Sequence, residues 1–187
     1  MKTGRMSALA AWSAPALPFE LLTAGQFTIE QLTAAYNQTR VDYLVPMPMN
    51  VARLAEYIHH YDVDLDRSFV ALEGDRMLGL GMLAVRPGRT WITRLGVLPG
   101  QRRHGLGRAL MDALLAANDE LGAGLTVLEV IKNNTPAYNL FIGCGFAEIG
   151  ELIVLRRPPG PPAPPPPGEV HDLDRGEALA RDRKSVV

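Results

Sequence analysis

Val97-Leu98-Pro99-Gly100-Gln101-Arg102-Arg103-His104-Gly105-Leu106-Gly107-Arg108 is the stretch on which the fold turns. It leaves a β-rich run, turns through two closely spaced glycines and enters an amphipathic helix. Glycines at such a junction let backbone approach a ligand, and the unpaired N–H groups of a helix start point at it. Those donors and the helix dipole favour an anion, typically phosphate. Local charge agrees. From Arg76 to Met111 there are seven arginines and no acidic residue, although the whole chain carries 19 basic and 20 acidic side chains. A cationic patch on a near-neutral chain reads as a site for an anion, not as a solubility device.

Working outward, the runs 68–73, 76–86 and 90–97 are rich in β-formers. They are separated by Gly74-Asp75 and Pro87-Gly88-Arg89, which predicts an antiparallel meander. Before it come a strand over 19–22 and a helix over 29–37 with Ile29, Leu32 and Tyr36 on one side. A second helix follows, capped by Asn50, with Val51, Leu54, Ala55 and Ile58 at helical spacing. The apolar loop between the helices, 41–49, contains Pro46 and Pro48 and is expected to wall a site. After the glycine turn, 106–121 reads as a helix with Leu106, Leu110, Ala113, Leu114 and Ala117 in its stripe. A strand over 125–131, a helix over 136–144 started by Thr135 and stopped by Gly145, and strand material over 146–156 complete the pattern. This order predicts an α/β domain with one mixed, largely antiparallel sheet.

The chain has 187 residues, 47% hydrophobic and 21% charged, which excludes a disordered protein. Its near-zero net charge gives no field for nucleic acid or a membrane surface, and no apolar run has the length of a bilayer span. A lone cysteine, Cys144, excludes an internal disulfide framework and a multi-cysteine metal site. Residues 1–18 read as a disordered leader that faintly imitates a signal peptide. Eight of the 15 prolines lie between Pro158 and Pro167, so the folded domain is expected over 19–157 and a semi-rigid linker over 158–168. The linker's other reading is a ligand for a proline-binding module. Residues 169–181 read as the start of a following segment, a possible second domain. Residues 182–187 match a translated sequencing adapter and are set aside.

Two phosphate-binding readings compete for the glycine turn. A dinucleotide fingerprint would begin at Gly105-Leu106-Gly107, but Leu110 stands where its third glycine belongs, and the preceding strands form a meander. No Gly-Lys-Ser/Thr follows, so a P-loop is excluded. Arg102-x-x-Gly105-x-Gly107 preceded by Val97-x-Pro99 instead resembles the pyrophosphate loop of the GNAT (Gcn5-related N-acetyltransferase) family. Leu128-Glu129-Val130, Asn134, Ala137, Leu140-Phe141 and Gly145-Phe146 resemble that family's closing strand and helix in order and spacing.

The resemblance covers about residues 19–157. It implies a twisted sheet splayed between its fourth and fifth strands, about four flanking helices, and acetyl-CoA in the wedge as acyl donor. It further implies that backbone groups of Leu95, Gly96 and Val97 pair with pantetheine. Amides of Arg102, Arg103, His104, Gly105, Leu106, Gly107 and Arg108 would hold the pyrophosphate, with Asn134 and Phe141 meeting the cofactor from the last helix. The bland reading of Arg102, Arg103 and Arg108 is a solvated basic turn. No metal is implied, and the setting is the cytoplasm of a bacterial cell.

The reaction so implied is direct transfer from thioester to a primary amine of unknown identity, with a backbone N–H near Val97 as oxyanion donor. Glu129 is the candidate base. Strand alternation groups it with Leu125, Val127 and Ile131, where desolvation would raise its pKa. The competing reading is a structural carboxylate. Phe141 departs from the family, many of whose members have a tyrosine there to protonate the leaving sulfur. Tyr138 is the weaker substitute. The missing acid leaves open a catalytically weak acyl-CoA-binding domain, although an uphill thiolate departure costs only about 2 kcal/mol at neutral pH. Cys144 reads as a small packed residue, and His59-His60 with Asp62 and Asp64 as a solvated helix end, not a metal site. Gly79 and Gly81 share one strand face, marking a bulge or the close approach of a ligand.

Overall fold

Asn50 starts its helix as expected, its side chain accepting the Arg53 N–H. The first helix has a full capping box at Thr28 and Gln31. The structure, a computed structural model, describes residues 18–154 and Gly160. Apart from Gly160, the expected linker, following segment and adapter tail, and the leader through residue 17, lie outside the described residues. The order is β1 (Glu20–Thr23), α1 (Ile29–Gln38), α2 (Val51–His60), β2 (Val63–Glu73), β3 (Arg76–Arg86), β4 (Arg89–Val97), α3 (Leu106–Glu120), β5 (Leu125–Val127) and α4 (Thr135–Gly143). The strands form one mixed sheet in the order β1-β2-β3-β4-β5, antiparallel except for the parallel pair β4–β5. No helix among the described residues is long and apolar enough to cross a membrane.

The chain divides into two units, Met1–Glu148 and Ile149–Val187. Every helix and strand among the described residues belongs to the first. Residues 146–154 form no strand, against expectation, and Ile149, Leu152, Ile153 and Val154 are exposed. Their β-propensity is real, but a run becomes a strand only when a neighbour takes its backbone hydrogen bonds.

Alternation sorts the sheet into two faces. Leu80, Met82 and Ala84 of β3 join Leu32, Tyr36, Leu54 and Tyr57 of α1 and α2 in one core. On the other face Leu106, Leu110, Met111 and Leu114 of α3 are buried against the sheet. Gly79 and Gly81 make that approach possible. A Cβ on Gly79 would stand 2.7 Å from the Gly96 carbonyl oxygen, and one on Gly81 2.8 Å from Leu114 Cδ1. Helix packing, not ligand approach, accounts for both, and a bulge does lie opposite Gly81. Leu80 pairs with Gly96 but Met82 with Thr93, leaving an extra residue in β4. At the bulge Arg94 takes φ 54°, a left-handed conformation that costs a non-glycine residue about 1–3 kcal/mol.

Two strands depart from their expected bounds. β2 begins at Val63, not at 68. Asp64 and Asp66 hide this half in the sequence, yet the chain here is irregular and side-chain supported: Asp64 Oδ1 accepts the Asp66 and Arg67 N–H groups. β5 stops at Val127, not at 131. Its register with β4 runs only from Arg89↔Leu125 to Trp91↔Val127, while β4 continues to Val97. The sheet therefore opens between its fourth and fifth strands.

Candidate active site

Beyond Trp91 the edge of β4 facing away from β3 has no strand partner among the described residues. Two arginines reach it. Arg40 Nη2 donates to the Leu95 carbonyl at 3.2 Å, and Arg102 Nε donates to the Val97 carbonyl at 3.1 Å. A chain laid along this edge therefore meets carbonyls that already have one donor each. Gly96, expected to touch a cofactor, has a packing reason for its identity as well: a Cβ there would collide with the Thr39 side chain.

The glycine turn behaves as its sequence suggests. Gly105 is left-handed at φ 81° and is the N-cap of α3 with no side-chain cap. The first helical bond is Ala109 N–H to Gly105 O, so the amides of Leu106, Gly107 and Arg108 precede the ladder. Arg103 is also left-handed, at φ 67°. Gly107 admits α4, since a Cβ there would stand 3.4 Å from Leu140 Cδ2.

The charge of the turn is less free than the sequence implies. Arg102 makes a bidentate pair with Asp42, both contacts 2.7 Å, and its Nη2 donates to the Thr39 carbonyl. That guanidinium holds Asp42 below the ordinary carboxylate pKa. Arg108 pairs with Asp112 at 2.8 Å and donates to the Gly143 carbonyl, joining α3 to α4. Arg86 pairs with Asp62. Three of the seven arginines thus have acids supplied from outside the acid-free segment, and the patch is weaker in space than in sequence. Arg102 and Arg108 serve as ties; the backbone amides are what the turn offers an anion. His104 is exposed beside them, and Leu106 is a buried core residue.

Glu129 lies beyond the end of β5 and is exposed, so the expected apolar grouping with Leu125, Val127 and Ile131 does not form. Its carboxylate instead accepts the indole N–H of Trp91 at 2.6 Å. The two line a cleft of about 270 Å³ with Tyr61, Arg86, Thr90 and Val127. Trp91 touches Tyr61 and Tyr57, ring centroids 5.4 and 6.3 Å away. The Tyr57 hydroxyl shares a 2.6 Å hydrogen bond with Thr93 Oγ1, and burial pushes its pKa above the usual phenol range, so it is a neutral hydroxyl. Arg94 lies over the Tyr57 ring at 3.9 Å. This α2–β4 cluster was not singled out in the sequence. Tyr57 and Tyr61, four apart on one helix, were its one visible sign.

The last helix corrects one expectation. Asn134, not Thr135, caps α4, its Oδ1 accepting the Ala137 N–H at 3.4 Å. Half-buried Asn134 keeps its amide group for a second contact. Phe141 is buried with Leu83, Ile92, Met111 and Leu114 and stacks edge-on with Phe146. Tyr138 faces outward, its hydroxyl 3.5 Å from Glu148 Oε2. Cys144 packs in the same cluster as Phe141, and burial pushes its thiol pKa up. His60 Nδ1 bonds the Glu56 carbonyl, and the described residues hold no metal-ligating group of three.

The family model described as Acetyltransferase (GNAT) family matches residues 30–146. The chain belongs to that family. A mycothiol acetyltransferase from Geodermatophilus obscurus is 37% identical over 98 residues, covering 48% of this chain and 31% of that protein. The chain thus spans about a third of the length of this relative. Among solved structures, the ribosomal-protein-S18-alanine N-acetyltransferase of Escherichia coli superposes with a TM-score of 0.57 at 22% identity, over 71% of this chain and 79% of the other. AAC(6')-Iy, in complex with the bisubstrate analogue CoA-S-monomethyl-acetylneamine, gives 0.55 at 18% identity, over 75% and 97%. At these identities the superpositions speak for the fold.

Proposed function

We propose that the chain is an acetyl-CoA-dependent N-acetyltransferase that moves an acyl group directly from the thioester to a primary amine. One observation carries this: β4 parts from β5 after Trp91, and the opening runs toward the uncapped start of α3. Leu95, Gly96 and Val97 supply the edge that pairs with pantetheine, and the amides of residues 103–108 face the pyrophosphate, the Arg102 N–H being taken by the Pro99 carbonyl. Asn134 and Phe141 line the cofactor's path from α4. The amine nitrogen bonds to the acyl carbon, the C–S bond breaks, and the amine proton leaves through Glu129. A β4 amide near Val97 donates to the oxyanion. Phe141 has no proton to give, so the sulfur departs as thiolate and is protonated from solvent. Tyr138, turned toward Glu148, is the weaker acid candidate. The setting is the bacterial cytoplasm.

CoA is expected to raise the melting temperature, and acetyl-CoA to release thiol only when an accepted amine is present. Glu129→Gln is expected to lower kcat about 100-fold and flatten the pH profile. No stabilisation at saturating CoA overturns the reading. An unchanged rate and profile overturns the role of Glu129 alone. A second reading, a catalytically weak acyl-CoA-binding domain, is favoured by Phe141. It predicts stabilisation by CoA without amine-dependent thiol release.

A further inference from the structure

Arg94 stands apart among the seven arginines between Arg76 and Met111. It occupies the β4 bulge in a left-handed conformation usually left to glycine. The bulge turns two consecutive residues, Thr93 and Arg94, toward the same tyrosine of α2. There the Arg94 guanidinium lies over Tyr57 and 5.6 Å from the Tyr36 ring centroid. Arg40 approaches that Tyr36 ring too, at 4.7 Å, and Tyr43 at 4.5 Å. Neither arginine has a carboxylate partner among the described residues. Arg94 has no hydrogen-bond acceptor there either. Its Nε is buried and unpartnered, so a ligand contact would have to come from its two terminal nitrogens. Stacked guanidinium groups hold their planes ready for an oxyanion without spending their N–H groups.

A carboxylate lies close by but is not paired with Arg94. Trp91, whose indole N–H holds the Glu129 carboxylate, has its ring 6.3 Å from the Tyr57 ring that Arg94 covers. The site therefore presents a separated cation and anion beside the opening in the sheet.

Resting on the acetyltransferase reading, we infer that the acceptor is zwitterionic: a primary amine carrying a carboxylate, the chemistry of an amino acid. Arg94, helped by Arg40, takes the carboxylate, and Glu129 takes the ammonium end. A bidentate guanidinium–carboxylate contact is directional, and an amide in its place leaves donors unpaired.

The test is a thiol-release assay with acetyl-CoA across the common amino acids and their C-terminal amides. At least one amino acid should exceed its own amide by tenfold or more in kcat/KM. Arg94→Gln should raise KM for that acid at least tenfold and leave the amide's KM unchanged, while Arg94→Lys restores part of the preference. CoA affinity, read by calorimetry, should not move in either variant. Equal rates for every acid and amide pair, or turnover of neither, overturn the inference while CoA binding keeps the parent reading intact. A fall in CoA affinity or in melting temperature that parallels the loss of rate makes Arg94 structural and also overturns it. Should Arg94→Gln not fold, Arg40→Gln must reduce the preference for the acid over its amide, and an unchanged preference counts against the proposal.

Discussion

The two faces of the sheet are built from different chemistry. Under α3 the contacts are leucine against glycine: Leu106, Leu110 and Leu114 fill the space left open by Gly79 and Gly81. On the α1–α2 side lie Tyr36 and Tyr57 of those helices and Trp91 of β4, with Arg40 and Arg94 against the tyrosines. The first face is mostly leucine and glycine, with the buried Thr90 hydroxyl donating to Asn118 of α3 as its directed polar contact, so its value is chiefly density. The second buries rings but keeps hydroxyl, indole and guanidinium groups directed at particular partners. The α3 side of β4 is packed mainly for density, and the α1–α2 side carries most of the directed polar contacts.

The sharpest way to break this contrast is at the dense face. Leu114→Ala removes a fully buried side chain and should cost about 2–5 kcal/mol, measured by chemical denaturation. Next comes overpacking. Gly79→Ala should cost about 1–3 kcal/mol and exceed Gly81→Ala. The first new Cβ meets a backbone carbonyl, whereas the second meets movable leucine ends. Equal costs would remove the distinction. On the polar face Thr93→Val strips the Tyr57 hydroxyl of its partner and should cost about 1 kcal/mol. Tyrosine absorbance should report the changed hydroxyl environment.

The smallest effect belongs to the exposed pair Asp42–Arg102. The folded pKa of Asp42 lies below its ordinary 3.8, so its stabilising contribution is full above that value. It is lost as pH falls through the lowered pKa. Asp42→Asn should therefore match the parent in acid and fall slightly below it at neutral pH. Urea midpoints compared at both ends of the range check this.

Where local chemistry decides an outcome, the sequence was legible. Asn50 caps α2, Gly105 turns the chain into α3, and the meander falls at its glycine turns. What escaped depends on distant partners. Asp42 and Asp62 neutralise arginines that look unopposed in sequence, and Trp91 captures Glu129 from 38 residues away. The run at 152–154 has every strand former it needs and still forms no strand. Tyr57 follows the helical core period of its neighbours, and nothing in that period distinguishes a ring that only packs from one that also holds Thr93 and Arg94.

Arg102 grips Asp42, the Thr39 carbonyl and the Val97 carbonyl at once. It is a rivet through three layers of the domain: the exit of α1, the loop beyond it, and the end of β4. The loop after α1 and the turn that leads into α3 are thereby tied to the same strand end. A shift of either the loop after α1 or the turn before α3 must therefore break one of these contacts or carry the other segment with it.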